Sequence, residues 1–187
     1  TSPRSNSIWA RSTKAGIVAD LQQASRQGGW PKDVRFIGSH PLAGNEKRGP
    51  EHASAELFAG RYVVVTPTAD MLPADLKQVS EFWSALGARV VQMPAEEHDA
   101  ALALTSHLPH LVASAIAGAT PERYVTLTAG GWQDTTRIAA GAPRLWRQIM
   151  LANRDNLLAA LDGFEHLLAQ WRQALEAADA PALERLL

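Results

Sequence analysis

The runs Tyr62-Val63-Val64-Val65-Thr66 and Arg89-Val90-Val91 flank a stretch, Ala74 to Leu86, in which Leu76, Val79, Phe82, Trp83 and Leu86 recur at helical spacing. Short runs of β-branched residues read as strands, and an apolar period near 3.6 between them reads as an amphipathic helix. Strand, helix, strand in that order is a βαβ unit or a near variant, so this part of the chain is expected in an α/β sheet. A third β-rich run, Val34 to Ile37, precedes it. Further back, Ile17, Val18, Leu21 and Ala24 mark a short amphipathic helix ending at Gly28-Gly29, after an unpatterned polar lead-in over residues 1–9.

Beyond Pro94 the strand signals stop. Helical patterns cover Glu96 to Ala117, Pro121 to Leu127, Thr135 to Ala140, Pro143 to Leu175 and Pro181 to Leu187. In the longest, Leu157, Leu161, Phe164, Leu168, Trp171 and Leu175 alternate at steps of four and three, a seam that needs a partner helix. That partner is either a second copy of the chain or another helix of the same one. The chain therefore divides near Met93 to Ala95, into an α/β part at 1–94 and an all-α part at 95–187.

Composition narrows the classes of function. The 187 residues carry a formal net charge of −1 and a pI near 6.6. No broad field recruits nucleic acid or an anionic membrane, so neither is an expected partner. Without cysteine there are no disulfides, thiol nucleophiles or Cys-ligated zinc, which fits a reducing compartment. No apolar run is expected to reach the roughly 20 residues of a membrane helix, and no signal-peptide core opens the sequence. The expected location is the cytoplasm.

Chemistry centres on Gly38-Ser39-His40-Pro41-Leu42-Ala43-Gly44-Asn45-Glu46. An imidazole at the end of a buried strand, beside a Pro and Gly turn, sits where open α/β sheets build their sites. His107 and His110, three apart, share a helix face, and Pro109 between them is expected to bend the helix. Either they wall a site or they decorate a helix surface. A zinc site from His98, His107 and His110 lacks His-Glu-x-x-His spacing and a matching carboxylate, so no metal is expected. His52 and His166 have no partner at useful spacing. Asp134 is placed to cap a helix, and Arg137 one turn on is placed to grip a carboxylate bidentately or to pair with Asp134.

Taken together, Ser12-Thr13-Lys14-Ala15, the Gly38 to Glu46 motif with Gly49, Ser106-His107-Leu108-Pro109-His110, and Asp134-Thr135-Thr136-Arg137-Ile138-Ala139 with Trp146 resemble the prephenate dehydrogenase family. The resemblance implies a Rossmann-like dinucleotide-binding domain followed by a helical dimerisation domain, with the active site between them. It implies NAD- or NADP-dependent oxidative decarboxylation of prephenate to 4-hydroxyphenylpyruvate, a step of tyrosine biosynthesis, by a homodimer. It matches His40 to the group that takes the substrate hydroxyl proton and Ser12 to the serine that orients it. Arg137 and His110 match substrate-binding residues, and Glu46 matches a carboxylate near the entrance. Arogenate dehydrogenase, with an amino acid side chain on the substrate, is the neighbouring activity.

The sequence contains no Gly-x-Gly, the turn whose helix N-terminus holds a dinucleotide pyrophosphate. The expectation is therefore a C-terminal remnant of a Rossmann-like domain joined to the all-α domain. Its cofactor-binding residues are unknown, and nothing chooses between NAD and NADP. A non-catalytic dimerisation or ligand-binding remnant is the alternative.

Overall fold

The structure, a computed structural model, describes residues 18, 20, 21, 23, 24, 27, 36–43, 53–69 and 71–187. Val18, Asp20, Leu21, Gln23 and Ala24 are helical, and Val18 is buried, in keeping with the amphipathic helix read there.

The sheet has the order β1 (Gly38–Pro41), β2 (Tyr62–Thr66), β3 (Arg89–Gln92). Between β2 and β3, which run parallel, lies α1 (Pro73–Ala85), so the expected βαβ unit is present. Val63, Val64, Val65 and Thr66 are all buried, as a strand covered on both faces requires. Four consecutive β-branched residues meet that demand without exposing a polar side chain.

β1 lies later than the Val34 to Ile37 run, and Phe36 and Ile37 are not in a strand. It pairs antiparallel with β2, His40 opposite Val64. The ladder begins at Gly38 because the backbones approach there: the Thr66 hydroxyl donates to the Gly38 carbonyl at 3.2 Å, and a Cβ on Gly38 would run into that hydroxyl. His40 thus stands within the strand and shares a face of the sheet with Val64 and Val91.

The rest is helical, as expected: α2 (Ala95–Leu102), a π-turn (Ala103–His107), α3 (Leu108–Ala119), α4 (Glu122–Val125), α5 (Gly130–Thr136), a 3₁₀ turn (Arg137–Ala140), α6 (Pro143–Ala152), α7 (Arg154–Glu176) and α8 (Ala180–Leu186). Three details differ from the sequence reading. The long helix over Pro143 to Leu175 is two helices, broken at Asn153. Asp134 lies inside α5, whose N-cap is Ala129, so it caps nothing. The third concerns Ala95–Ala119, 25 residues with a mean hydropathy of 1.4 in its apolar window, long and apolar enough to cross a membrane by length and composition. It has no charged residue after Asp99, an apolar run that the sequence reading had not expected. In this fold the run packs beside α7, and its buried face is largely polar: His98, Asp99, His107 and His110.

Candidate active site

Pro109 lacks the N–H that would close the preceding α-turn. The chain answers with the π-turn Ala103–His107 rather than with a broken helix. In an unbroken α-helix, residues nine apart are two and a half turns apart, so His98 and His107 would point in opposite directions. One extra residue in the π-turn brings them to about 80° apart. Both side chains are buried.

His40 reaches across from β1, and its Nδ1 shares a 2.8 Å hydrogen bond with His98 Nε2. The rings are 5.1 Å apart and tilted at 54°. On the other side of His98, Nδ1 donates to Asp99 Oδ1 at 3.0 Å. Imidazole, imidazole and carboxylate therefore form one chain linking the sheet to the helical part. His98 and Asp99 are 3% and 4% exposed, so this chain is screened from water along most of its length.

Asn153, in the break between α6 and α7, holds the arrangement from below. Its amide nitrogen donates to the Asp99 backbone carbonyl at 2.7 Å and to His107 Nδ1 at 3.1 Å. Its oxygen accepts from Asn156 at 2.8 Å. His107 thus receives a hydrogen bond on Nδ1, which requires an unprotonated nitrogen there. Burial pushes its pKa below the usual histidine value, against a raising effect of the Asp99 charge, and His98 adds to the lowering.

His110 stacks flat on Trp146, with centroids 3.5 Å apart and planes at 7°. Trp146 meets His107 edge-on at 6.3 Å. Gly141, closing the turn that carries Arg137, permits the stack, because a Cβ there would strike the Trp146 indole and approach His110 Cε1. Burial lowers the His110 pKa as well. Among the described residues, its buried Nδ1 has no hydrogen-bond partner.

Of the residues read from the sequence, His40 is joined to His98, and His110 lies one ring away from His107. Arg137 is exposed at the start of the 3₁₀ turn, which packs on the helix bearing His110. Ser12 and Glu46, with Lys14, Gly44, Asn45 and His52, fall outside the described residues. His166 sits on the surface of α7, bonded to Gln170 at 3.0 Å. Sequence reasoning gave His98 no role and missed Asp99 and Asn153. The available signal was a His-Asp pair heading an uncharged apolar helix, where buried polar residues have to find partners.

A dinucleotide pyrophosphate needs a glycine-rich turn at a helix N-terminus. Among the described residues, the strand-to-helix connection of the βαβ unit, from Pro67 to Leu72, has no glycine, and Pro73 opens its helix. The described residues do not fit that part of a cofactor, nor do they include a grouping of three or more His, Asp or Glu suited to a metal ion.

Two family models match the chain: "Prephenate dehydrogenase, nucleotide-binding domain" over residues 10–92 and "Prephenate dehydrogenase, dimerization domain" over residues 94–187. The chain is 38% identical to a cyclohexadienyl dehydrogenase of Zymomonas mobilis over 92% of its own length and 59% of that protein's. It is 34% identical to a prephenate dehydrogenase of Bacillus subtilis, covering 93% of itself and 47% of the relative. It thus spans about half to three fifths of these relatives. Among solved structures, prephenate dehydrogenase from Aquifex aeolicus, in complex with hydroxyphenyl propionate and NAD+, superposes with a TM-score of 0.78 at 36% identity, over 91% of this chain and 59% of that one. Synechocystis arogenate dehydrogenase gives 0.70 at 31% identity, over 81% and 57%.

Proposed function

The chain belongs to the prephenate dehydrogenase family, and from that premise we propose that it carries the substrate-binding and dimerising part of an NAD- or NADP-dependent prephenate dehydrogenase. The observation that carries this reading is His40, whose imidazole is held at 2.8 Å by a buried histidine from the helical part. A fixed imidazole at the join of sheet and bundle suits a base for a substrate bound between them.

A bound nicotinamide would supply the hydride acceptor for the ring carbon that bears the hydroxyl. His40 takes the hydroxyl proton as that carbon becomes carbonyl-like. Carbon dioxide leaves as the ring becomes aromatic, and the proton returns to the phenolic oxygen, so prephenate and oxidised cofactor give 4-hydroxyphenylpyruvate, carbon dioxide and reduced cofactor. Aromatisation drives the loss of carbon dioxide, which leaves the protein to position and to stabilise charge. Arg137 grips a carboxylate of this dicarboxylate substrate and His110 contacts it, while Ser12 and Glu46 take, by the resemblance alone, the roles of the orienting serine and the entrance carboxylate. The enzyme works as a cytoplasmic homodimer.

Similarity to the Synechocystis arogenate dehydrogenase favours arogenate as the second substrate to try. The test is reduced-nicotinamide absorbance on mixing the purified full-length protein with prephenate or arogenate and NAD or NADP. Prephenate-dependent reduction with 4-hydroxyphenylpyruvate as product is expected. A folded dimer that reduces neither cofactor with either substrate is a binding remnant instead.

A further inference from the structure

We propose that His98 and Asp99 are positioning residues that lock His40 in the tautomer with its proton on Nδ1 and its lone pair on Nε2, the form able to take a substrate proton. This rests on His40 being the base of the reaction proposed above.

The chain of hydrogen bonds has a direction. An ionised carboxylate only accepts, so the 3.0 Å contact to Asp99 Oδ1 requires a proton on His98 Nδ1. A neutral His98 then has a bare Nε2. That nitrogen lies 2.8 Å from His40 Nδ1, which must therefore donate. With its proton committed to Nδ1, neutral His40 has its lone pair on Nε2. The opposite direction needs a doubly protonated His98 that donates to His40 from Nε2, and it would put the His40 proton on Nε2 instead.

The titratable groups facing His98 are His40 from β1, Asp99 beside it on α2, and His107 from the π-turn. Asp99 supplies the one negative charge among them. When His40 takes a proton on Nε2 and becomes an imidazolium, its Nδ1–H bond to His98 strengthens, and the Asp99 charge stabilises it through the intervening ring. No proton has to move along the chain, as in the serine hydrolase triad, where the carboxylate orients and stabilises without becoming protonated. One imidazole inserted between base and carboxylate lets a carboxylate on the helical part govern a base on the sheet.

The direct test is long-range ¹H–¹⁵N correlation on ¹⁵N-histidine-labelled full-length protein between pH 7 and 8, with His40 assigned by its absence in His40→Asn. The expected spectrum has the His40 proton on Nδ1. In His98→Leu it should move to Nε2, and kcat should fall about a hundredfold while the KM for prephenate changes less than about threefold. His98→Gln, whose side-chain carbonyl can still accept from Nδ1, should keep the tautomer and most of kcat. Wild-type His40 protonated on Nε2 overturns the lock whatever the activity. So does a folded His98→Leu variant with wild-type kcat and pH profile. The Nδ1 tautomer in a protein that fails to oxidise prephenate or arogenate supports the lock and overturns the functional reading.

Discussion

His107 and His110 both have lowered pKa values because they are buried. The unfolded chain therefore binds protons more readily than the folded one as pH falls below the ordinary histidine value near 6.5. Stability from these residues is fully present above that value and is lost as pH falls from it through the lowered pKa values. Denaturant midpoints measured from pH 8 to pH 5 should decline below about pH 6.5. His110→Phe, which keeps an aromatic ring on Trp146 but cannot titrate, should flatten part of that decline. A slope unchanged by the substitution would remove His110 from the account. Gly141→Ala, forcing a methyl against the same stack, should cost about 1–3 kcal/mol by the same measurement. Arg137→Ala should raise the KM for prephenate about thirtyfold, near 2 kcal/mol for a lost charge-assisted contact. An unchanged KM would make Arg137 structural.

At the scale of elements, the site depends on two interruptions in helices. The π-turn rotates His107 toward His98, and the break at Asn153 turns an amide toward both Asp99 and His107. Asn153→Leu keeps the size and removes the donors, leaving the His107 ring nitrogen unpaired and the Asp99 carbonyl with only the Ala103 N–H. It should lower stability by about 1–3 kcal/mol in urea denaturation, and a loss below about 0.5 kcal/mol would contradict the bridging role. These interruptions also mark where sequence reading stopped. β2, α1 and β3 were legible because β-branched runs and a 3.6-residue period belong to local sequence. The start of β1 was not, because it depends on how closely Gly38 approaches Thr66 in another strand. Pro109 announced a disturbance without saying that a π-turn would absorb it. Asn153, within an otherwise helical pattern, reads locally as a surface residue, and only its tertiary partners make it a bridge.

At the scale of the whole molecule, the Leu157 to Leu175 seam divides in two. Leu157 is buried within the chain, whereas Leu168 and Leu175 are 49% and 63% exposed. The upstream part therefore packs internally. The downstream part leaves an apolar face of the kind a dimerisation domain covers. Leu168→Glu should leave the fold intact and shift sedimentation from dimer toward monomer, and a dimer unaffected by it would place the interface elsewhere. The two-part organisation was visible from the sequence because strand signals end at one place. Which helix faces meet a second chain was not, since an apolar seam looks the same whichever helix covers it.

The central claim is that an imidazole on the sheet, held from the helical part, does the chemistry. It is tested most directly by comparing turnover and substrate binding in full-length wild type and His40→Asn. The expected result is loss of prephenate-dependent cofactor reduction with calorimetric affinity for prephenate within about threefold of wild type, since a general base contributes about 10²–10⁴ in rate and little to ground-state binding. Turnover within tenfold of wild type in a folded His40→Asn protein would contradict it.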